Sequence, residues 1–362
     1  MSRVNIALAW FPVAALLLTV QWFNLFFAQL SIFASRPAVR GIAVFAAFAL
    51  ISYLTDSAWR ISTDKWPAYK RHFALMGLLL LFIALTNLCF FQAAAPAHIM
   101  LASAAGIIAG LFASILPIFF GSRDPSYGWR LGSSKRPDPS RPLIIVADPH
   151  WGSDLAGLFE ANKTLPEADW LFLGDVFDVW VGIKGFETDA QRSLLWWVSE
   201  RRRTGAWVGL WLGNRDYFLD RLAEKFDFIG EGTKGQLEGE AFVFEHGDLI
   251  NTSDRKYRFW NILSRSAPLW LFAKAVPSFL GAKLTLFLER KLRATNMEHK
   301  IYFPKTDFQK AVEANRPAFF ITGHFHALEE AENGISVPWA HFGQFYVWQS
   351  GANAIFALNT GK

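Results

Sequence analysis

Five short polar fragments, each at the end of an apolar run, constrain this chain more than any other feature. They are Asp148-Pro149-His150, Gly174-Asp175, Gly213-Asn214-Arg215-Asp216, His246-Gly247-Asp248 and Gly323-His324-Phe325-His326. Short apolar runs bounded by polar loops are typical of strands buried on both faces. Ligands of such folds gather at the carboxyl ends of the strands. At their core positions the fragments supply two aspartates, one asparagine and four histidines, which suit two divalent metals.

The same runs predict the architecture of the C-terminal two-thirds. Strands are expected at residues 143–148, 170–175, 207–214, 242–246 and 319–322, and a hairpin at 345–350 and 354–358. Helical patterns lie between them, at residues 190–203 and 307–315. We therefore expect an α/β fold, a sandwich of sheets flanked by helices.

The N-terminal third has a different composition. Of the 362 residues, 52% are hydrophobic, and the excess lies in residues 1–120. Four stretches, residues 4–33, 41–59, 73–92 and 97–120, predict membrane spans because about 20 apolar residues cross a bilayer. The predicted organisation is a four-helix transmembrane module over residues 1–121, a linker over 122–142 and a catalytic domain over 143–362. A helical insertion is expected within that domain at about residues 255–300.

The distribution of charge predicts an orientation. Basic residues are concentrated in the loop after the second span and in the segment after the fourth, so both should face the cytoplasm. The net charge is +5, but the basic residues lie beside hydrophobic ones and do not form the continuous basic surface that binds nucleic acids. Neither a nucleic-acid partner nor an obligate protein partner is expected. The single cysteine, Cys89, excludes a disulfide within the chain and a paired-cysteine metal site.

The order and residue types of the five fragments resemble the calcineurin-like metallophosphoesterases, whose pattern is DxH, GD, GN, H and GHxH. The resemblance implies that Asp148, His150 and His326 form one metal site. It implies that Asn214, His246 and His324 form the other. Asp175 is expected to bridge the two metals, because two close cations need a shared anion. Asp216 and Asp248 are candidate acceptors for the ring nitrogens that do not bind metal.

Longer segments resemble a narrower family, the UDP-2,3-diacylglucosamine diphosphatases of lipid A synthesis. The segments are LFLGDVFDVWVG, GNRDYFL, HGDLINTSDRKY and KTDFQKAV, within about residues 143–330. The resemblance implies two Mn²⁺ ions and attack at the α-phosphorus, which releases UMP and 2,3-diacylglucosamine 1-phosphate. Together with the spans, it implies an integral protein of the bacterial inner membrane with a cytoplasmic catalytic domain.

Roles for individual residues follow from this resemblance. Asp175, Asn214 and Arg215 are the expected catalytic residues, and the arginine fork of Arg215 fits phosphate oxygens. Asn214 and Arg215 should also contact substrate, with Asp254, Arg293 and Lys300 orienting the head group. Residues 260–292 interleave aromatic and basic side chains, a composition that suits either a membrane surface or a lid packed on the core. The expected partners are a lipid bilayer and a lipid-linked nucleotide sugar.

Two alternatives remain open at this point. The first is a membrane metallophosphoesterase that acts on another lipid-linked phosphate or on a phosphodiester. The second is a membrane transporter or scaffold that carries a regulatory phosphoesterase domain. Arg215 in place of the more common histidine, together with Asp254, argues against the first alternative. The scarcity of charge within the spans argues against the second.

Overall fold

The computed structural model describes residues 128–152, 155–299, 303–340, 344–349 and 354–359. The chain divides into two units, Met1–Ser126 and Tyr127–Lys362, and the described residues all belong to the second. The predicted boundaries at residues 121 and 142 remain a prediction. Within the predicted linker, however, Gly128–Gly132 forms a strand, β1.

A seven-stranded sheet forms the first layer of strands. Its order is β1, β7 (Phe228–Gly232), β5 (Val208–Trp211), β3 (Asp169–Leu173), β2 (Leu143–Val146), β13 (Gln344–Gln349) and β14 (Ala354–Asn359). The four central strands, from β7 to β2, are parallel, while the strands at both edges are antiparallel. Parallel central strands bring their carboxyl ends to one edge of the sheet.

A five-stranded sheet forms the second layer. Its order is β11 (Glu329–Ala331), β12 (Gly334–Ser336), β10 (Phe319–Thr322), β9 (Phe242–Glu245) and β8 (Gly235–Gln236). Strands β9 and β10 are parallel, so their carboxyl ends also lie together. Two short strands, β4 (Trp180–Val181) and β6 (Asp216–Tyr217), form a separate parallel pair.

Successive side chains along a strand point to opposite faces of the sheet, and this alternation explains how the layers pack. Leu143 and Ile145 of β2 pack in one core cluster with Phe242 and Phe244 of β9, so the two sheets lie face to face. Ile144, between them, belongs to a second cluster on the opposite face of the first sheet. The period of two that characterises a strand thus buries both faces of β2.

Helices cover the outer faces of the two sheets. Helix α1 (Ala156–Thr164) and helix α2 (Asp189–Arg203) contribute to the outer cluster of the first sheet. A capping box begins α2, in which Thr188 accepts from the Gln191 backbone and the Gln191 side chain accepts from the Thr188 backbone. A 3₁₀ helix spans Leu219–Lys225.

The predicted insertion is helical. It consists of α3 (Arg255–Ser264), α4 (Ala267–Ala275) and α5 (Ser278–His299). Helix α5 packs on the loop before α2, where Thr285 Oγ1 donates to the Phe186 carbonyl at 2.9 Å. The last helix, α6 (Lys305–Asn315), covers the outer face of the second sheet through Phe308.

The α/β part of the predicted fold is confirmed, but its transmembrane part requires correction. Within the described ranges, no helix combines the length and the apolar character needed to cross a membrane. The longest of them, α5, interleaves its apolar residues with Lys283, Arg290 and Lys291. The four predicted spans, at residues 4–33, 41–59, 73–92 and 97–120, lie outside the described residues.

The predicted localisation is corrected on the same finding. An integral protein of the bacterial inner membrane with a cytoplasmic catalytic domain requires spanning helices, and the part of the chain that the structure describes contains none.

Candidate metal centre

All seven predicted metal ligands follow strands of the two sheets. In chain order they are Asp148 and His150 after β2, Asp175 after β3, Asn214 after β5, His246 after β9, and His324 and His326 after β10. The first four come from the parallel core of one sheet and the last three from parallel strands of the other. The two sheets therefore bring their polar loops together at one edge of the sandwich.

The backbone of these loops is strained where the candidate ligands lie. Left-handed φ angles occur at Asp148 (47°), His150 (44°), Asp175 (48°), His324 (71°) and His326 (55°). Phe218 (58°) is the other non-glycine residue of the described part with a positive φ angle. Residues other than glycine rarely adopt this backbone conformation, and strained residues of this kind cluster at functional sites. Five strained residues that coincide with predicted ligands therefore mark this edge as a functional site.

Two glycines allow the loops to approach each other. A Cβ at Gly174, whose φ is +84°, would lie 2.4 Å from Nδ1 of His246. A Cβ at Gly213 would lie 2.3 Å from Oδ1 of Asp175. Neither position can accept a side chain without displacing a candidate ligand, which explains the glycine of the GD and GN fragments.

The first group of ligand atoms comprises Asp148, His150 and His326, all within 4.8 Å of one another. The Nε2 atoms of the two histidines are 3.2 Å apart, and Oδ1 of Asp148 is 3.6 Å from Nε2 of His326. Two ligands bound at about 2.1 Å to one ion lie roughly 3 Å apart, so these separations fit a shared cation.

The second group comprises Asp148, His246 and His324. Oδ1 of Asn214 lies 3.1 Å from Nε2 of His246 and so joins the group. Nδ1 of His246 lies 3.0 Å from the Leu173 carbonyl. Because a carbonyl only accepts, Nδ1 carries the proton, and Nε2 is the nitrogen through which the neutral imidazole would bind a metal.

Two buried aspartates lie between the groups. The carboxylate of Asp175 approaches both, with Oδ1 at 3.6 Å from Nε2 of His246 and Oδ2 at 4.0 Å from Nε2 of His150. Asp148 belongs to both groups. The bridging role of Asp175 remains a prediction, and Asp148 has a comparable position.

The electrostatics of the cluster favour a cation. Burial would lower the pKa of His246, but the nearby carboxylates of Asp175 and Asp148 raise it above its ordinary value. Burial, followed by the charge of Asp175, raises the pKa of Asp216 to about 7. Concentrated, buried negative charge beside imidazole nitrogens fits a divalent metal without thiolate ligands.

The two aspartates predicted to orient the histidines contact other groups. Asp216 accepts from the backbone N–H groups of Gly213 (2.8 Å) and Asp175 (3.0 Å), so it ties two ligand loops together. Asp248 accepts from Asn261 at 2.9 Å and from the Tyr257 hydroxyl.

A different carboxylate, Asp178, lies beside a candidate ligand. Its Oδ1 is 3.5 Å from Nδ1 of His150, the position of an acceptor that orients a metal-binding imidazole. Sequence reasoning missed this residue. The available signal was a carboxylate three residues after Asp175, in the segment Gly-Asp-Val-Phe-Asp.

Arg215 lies within the site and is largely buried. Its backbone N–H donates to Asp175 Oδ1 at 2.8 Å, its Nε is 3.5 Å from Asp175 Oδ2, and its Nη1 donates to the Asp178 carbonyl at 3.3 Å. The guanidinium is thus held against the ligand loops. Its contact with phosphate remains a prediction.

The other predicted substrate residues are placed less directly. Asp254 is exposed, and its carboxylate accepts from the Tyr257 backbone N–H at 2.9 Å at the start of α3. Arg293 lies on α5, and the structure describes the backbone there. Lys300 lies outside the described residues. Their head-group contacts remain predictions.

Comparison with known proteins gives several relatives for the C-terminal half. A UDP-2,3-diacylglucosamine hydrolase from Shewanella sp. (strain W3-18-1) is 26% identical over 209 residues, which cover 53% of this chain and 84% of that protein. The UDP-2,3-diacylglucosamine hydrolase from Wigglesworthia glossinidia brevipalpis is 22% identical over 195 residues, which cover 51% of this chain and 78% of that protein. The UDP-2,3-diacylglucosamine hydrolase from Pseudomonas syringae pv. tomato is 29% identical over 164 residues, which cover 44% of this chain and 60% of that protein. No protein-family model matches the chain.

These relatives are named as hydrolases, and their similarity to this chain lies in its C-terminal half. The chain is a metal-dependent phosphoesterase. The relatives support a metallophosphoesterase-like family for its C-terminal half, and the grouped aspartates and histidines fit that chemistry.

Proposed function

We propose that the enzyme hydrolyses UDP-2,3-diacylglucosamine to UMP and 2,3-diacylglucosamine 1-phosphate, with two divalent metals. The observation that carries the proposal is the convergence of seven candidate ligands on one edge of the sandwich, five of them with a strained backbone. The names of the relatives supply the substrate class.

The proposed centre assigns three side chains to each metal. Asp148, His150 and His326 would hold one ion, and Asn214, His246 and His324 the other, with Asp175 shared. When bound, two such metals supply hydroxide at near-neutral pH and neutralise charge on the phosphoryl oxygens. We propose Mn²⁺ because imidazole, carboxylate and amide oxygen without thiolate suit Mn, Fe or Zn, and Mn²⁺ is usual in the family that the motifs resemble.

The protein's own residues bind and orient the diphosphate. Arg215 is proposed to donate to the non-bridging oxygens of the α-phosphate, where its planar fork is permanently charged. Its present contacts with Asp175 and with the Asp178 carbonyl hold the side chain at the ligand loops. Asn214 is proposed to contact both metal and substrate. Asp254, Arg293 and Lys300 are proposed to orient the head group.

The insertion is proposed to bind the acyl chains. Several of its large apolar side chains are exposed, including Phe272 (66%) and Phe279 (73%). When acyl chains cover exposed apolar side chains on neighbouring helices, each buried methylene stabilises binding by about 0.8 kcal/mol. The same side chains are the proposed contact with a lipid bilayer.

An isotope experiment tests the reaction. The full chain is incubated with Mn²⁺ and UDP-2,3-diacylglucosamine in H₂¹⁸O, with an EDTA-treated sample as the control. We expect one ¹⁸O atom in UMP and none in the lipid phosphate, because attack occurs at the α-phosphorus. Label in the lipid product would contradict that site of attack. Hydrolysis of phosphodiesters that lack a nucleotide, without any release of UMP, would favour the alternative lipid phosphoesterase.

A further inference from the structure

One arginine of the insertion reaches the backbone of a ligand loop. Arg265, between α3 and α4, is buried, and its Nη2 donates to the Gly213 carbonyl at 2.7 Å. Gly213 immediately precedes Asn214, a ligand of the second metal in the proposed centre. Because the peptide unit is planar, fixing the Gly213 carbonyl fixes the plane from which Asn214 begins.

Arg265 is itself held in place. Its Nε forms an ion pair with Glu231 at the end of β7, and its guanidinium lies 5.8 Å from the centre of the Tyr217 ring. Glu231 also accepts from Nε1 of Trp129 on β1 at 2.7 Å. The arginine therefore connects the insertion, the sheet edge and the asparagine loop in one largely buried arrangement.

Helix α3 contacts the two histidine loops of the same metal. The Tyr257 hydroxyl and Nδ2 of Asn261 both donate to Oδ2 of Asp248, two residues after His246. The Tyr257 ring lies 6.1 Å from the His324 ring. One segment of the insertion thus contacts the loops or rings of all three side chains assigned to the second metal.

We propose that Arg265 is a positioning residue for the second metal, and that α3 couples the insertion to the occupancy of that site. The inference rests on the proposed two-metal centre and deepens it. Coupling is reciprocal, so a change that stabilises α3 against the ligand loops would strengthen binding of the second metal, and that metal would in turn stabilise α3. The affinity of the second site for its metal therefore depends on Arg265, although Arg265 is not a ligand of that metal.

A Mn²⁺ titration without substrate tests the proposal, with free Mn²⁺ measured by electron paramagnetic resonance. We expect Arg265→Ala to bind its first ion like the wild type and its second about 10- to 100-fold more weakly, the usual effect of losing a group that orients a ligand. Arg265→Lys should be intermediate, because lysine can donate to the Gly213 carbonyl but lacks the fork that also pairs with Glu231. Arg290→Ala, an exposed arginine on α5, is the matched control.

Two results would overturn the proposal. One is an unchanged second affinity in Arg265→Ala, and the other is an equal loss at both sites, which indicates general destabilisation. If Arg265→Ala does not fold, Tyr257→Phe serves instead, because it keeps the ring and removes the hydroxyl that reaches Asp248. That variant should bind the second ion several-fold more weakly than the wild type. An affinity for the second ion equal to that of the wild type would overturn the coupling.

The titration is independent of the substrate assignment. A wild type that binds two Mn²⁺ ions but leaves UDP-2,3-diacylglucosamine intact removes the proposed substrate and retains the positioning role. A wild type that binds fewer than two ions removes both the two-metal centre and the role of Arg265.

Discussion

The ligand loops and the helical insertion differ in almost every physical property. The loops are largely buried, their backbone is strained at five candidate ligands, and glycines at two positions allow them to approach each other closely. The insertion exposes large apolar residues such as Phe272 and Phe279. A rigid centre suits chemistry that depends on fixed distances, whereas an exposed apolar surface suits variable lipid chains. The proposed function assigns the reaction to the loops and the binding of the acyl chains to the insertion.

The largest effect should come from the aspartate between the two ligand groups. We expect Asp175→Ala to lower kcat on the order of 10⁴-fold, as loss of a member of a catalytic unit does, and to lower bound metal measured by elemental analysis. Asp189→Ala, at an exposed aspartate, is the control. A variant that keeps two metals and near-normal turnover would refute the site assignment.

Asp148→Ala measured beside it would separate the two aspartates. Both approach histidines of both groups. If Asp175 is the bridge, Asp148→Ala should retain one tightly bound metal, whereas Asp175→Ala should weaken both. The reverse pattern would assign the bridge to Asp148.

Arg215 should have the next largest effect. We expect Arg215→Ala to keep its metals and to lose roughly 10²-fold in kcat/KM, the scale for removing one donor to a transition-state oxyanion. Arg215→Lys should recover only part of the loss, because lysine lacks the planar fork. Wild-type kinetics in the alanine variant would show that the guanidinium does not contact substrate.

Asp178→Asn should have a smaller effect. The amide keeps the size of the side chain but removes the negative charge beside Nδ1 of His150. We expect about a tenfold loss of metal affinity at the first site. Metal titration checks this, and an unchanged affinity would show that Asp178 does not orient His150.

The smallest effect should come from the insertion, and it should depend on the substrate. Phe272→Ser combined with Phe279→Ser should raise KM for the diacylated substrate several-fold and leave UDP-N-acetylglucosamine hydrolysis unchanged. Thermal stability should change little, because both side chains are largely exposed. Equal losses on both substrates would show that these residues support the fold instead of the acyl chains.

The sequence predicts where these loops begin, because each follows a buried strand and the apolar runs before Asp148, Asp175 and His324 are unambiguous. The role of the seven side chains as metal ligands stays a prediction. It does not predict Arg265 or the contact of Asp178 with His150, because these depend on how distant segments pack. Strand β1 is also missed, since its residues Gly128–Gly132 lack an apolar run and pair through the backbone with β7. The prediction of a transmembrane fold rested on composition outside the described residues, and the described helices do not support it.

The most direct measurement is the ratio of kcat/KM for UDP-2,3-diacylglucosamine to that for UDP-N-acetylglucosamine, its acyl-free relative, in the Mn²⁺-loaded full chain. Burial of even four methylenes contributes about 3 kcal/mol, so the ratio should exceed roughly 10². Similar values for the two substrates would contradict a metal centre and an insertion that act together on one acylated nucleotide sugar.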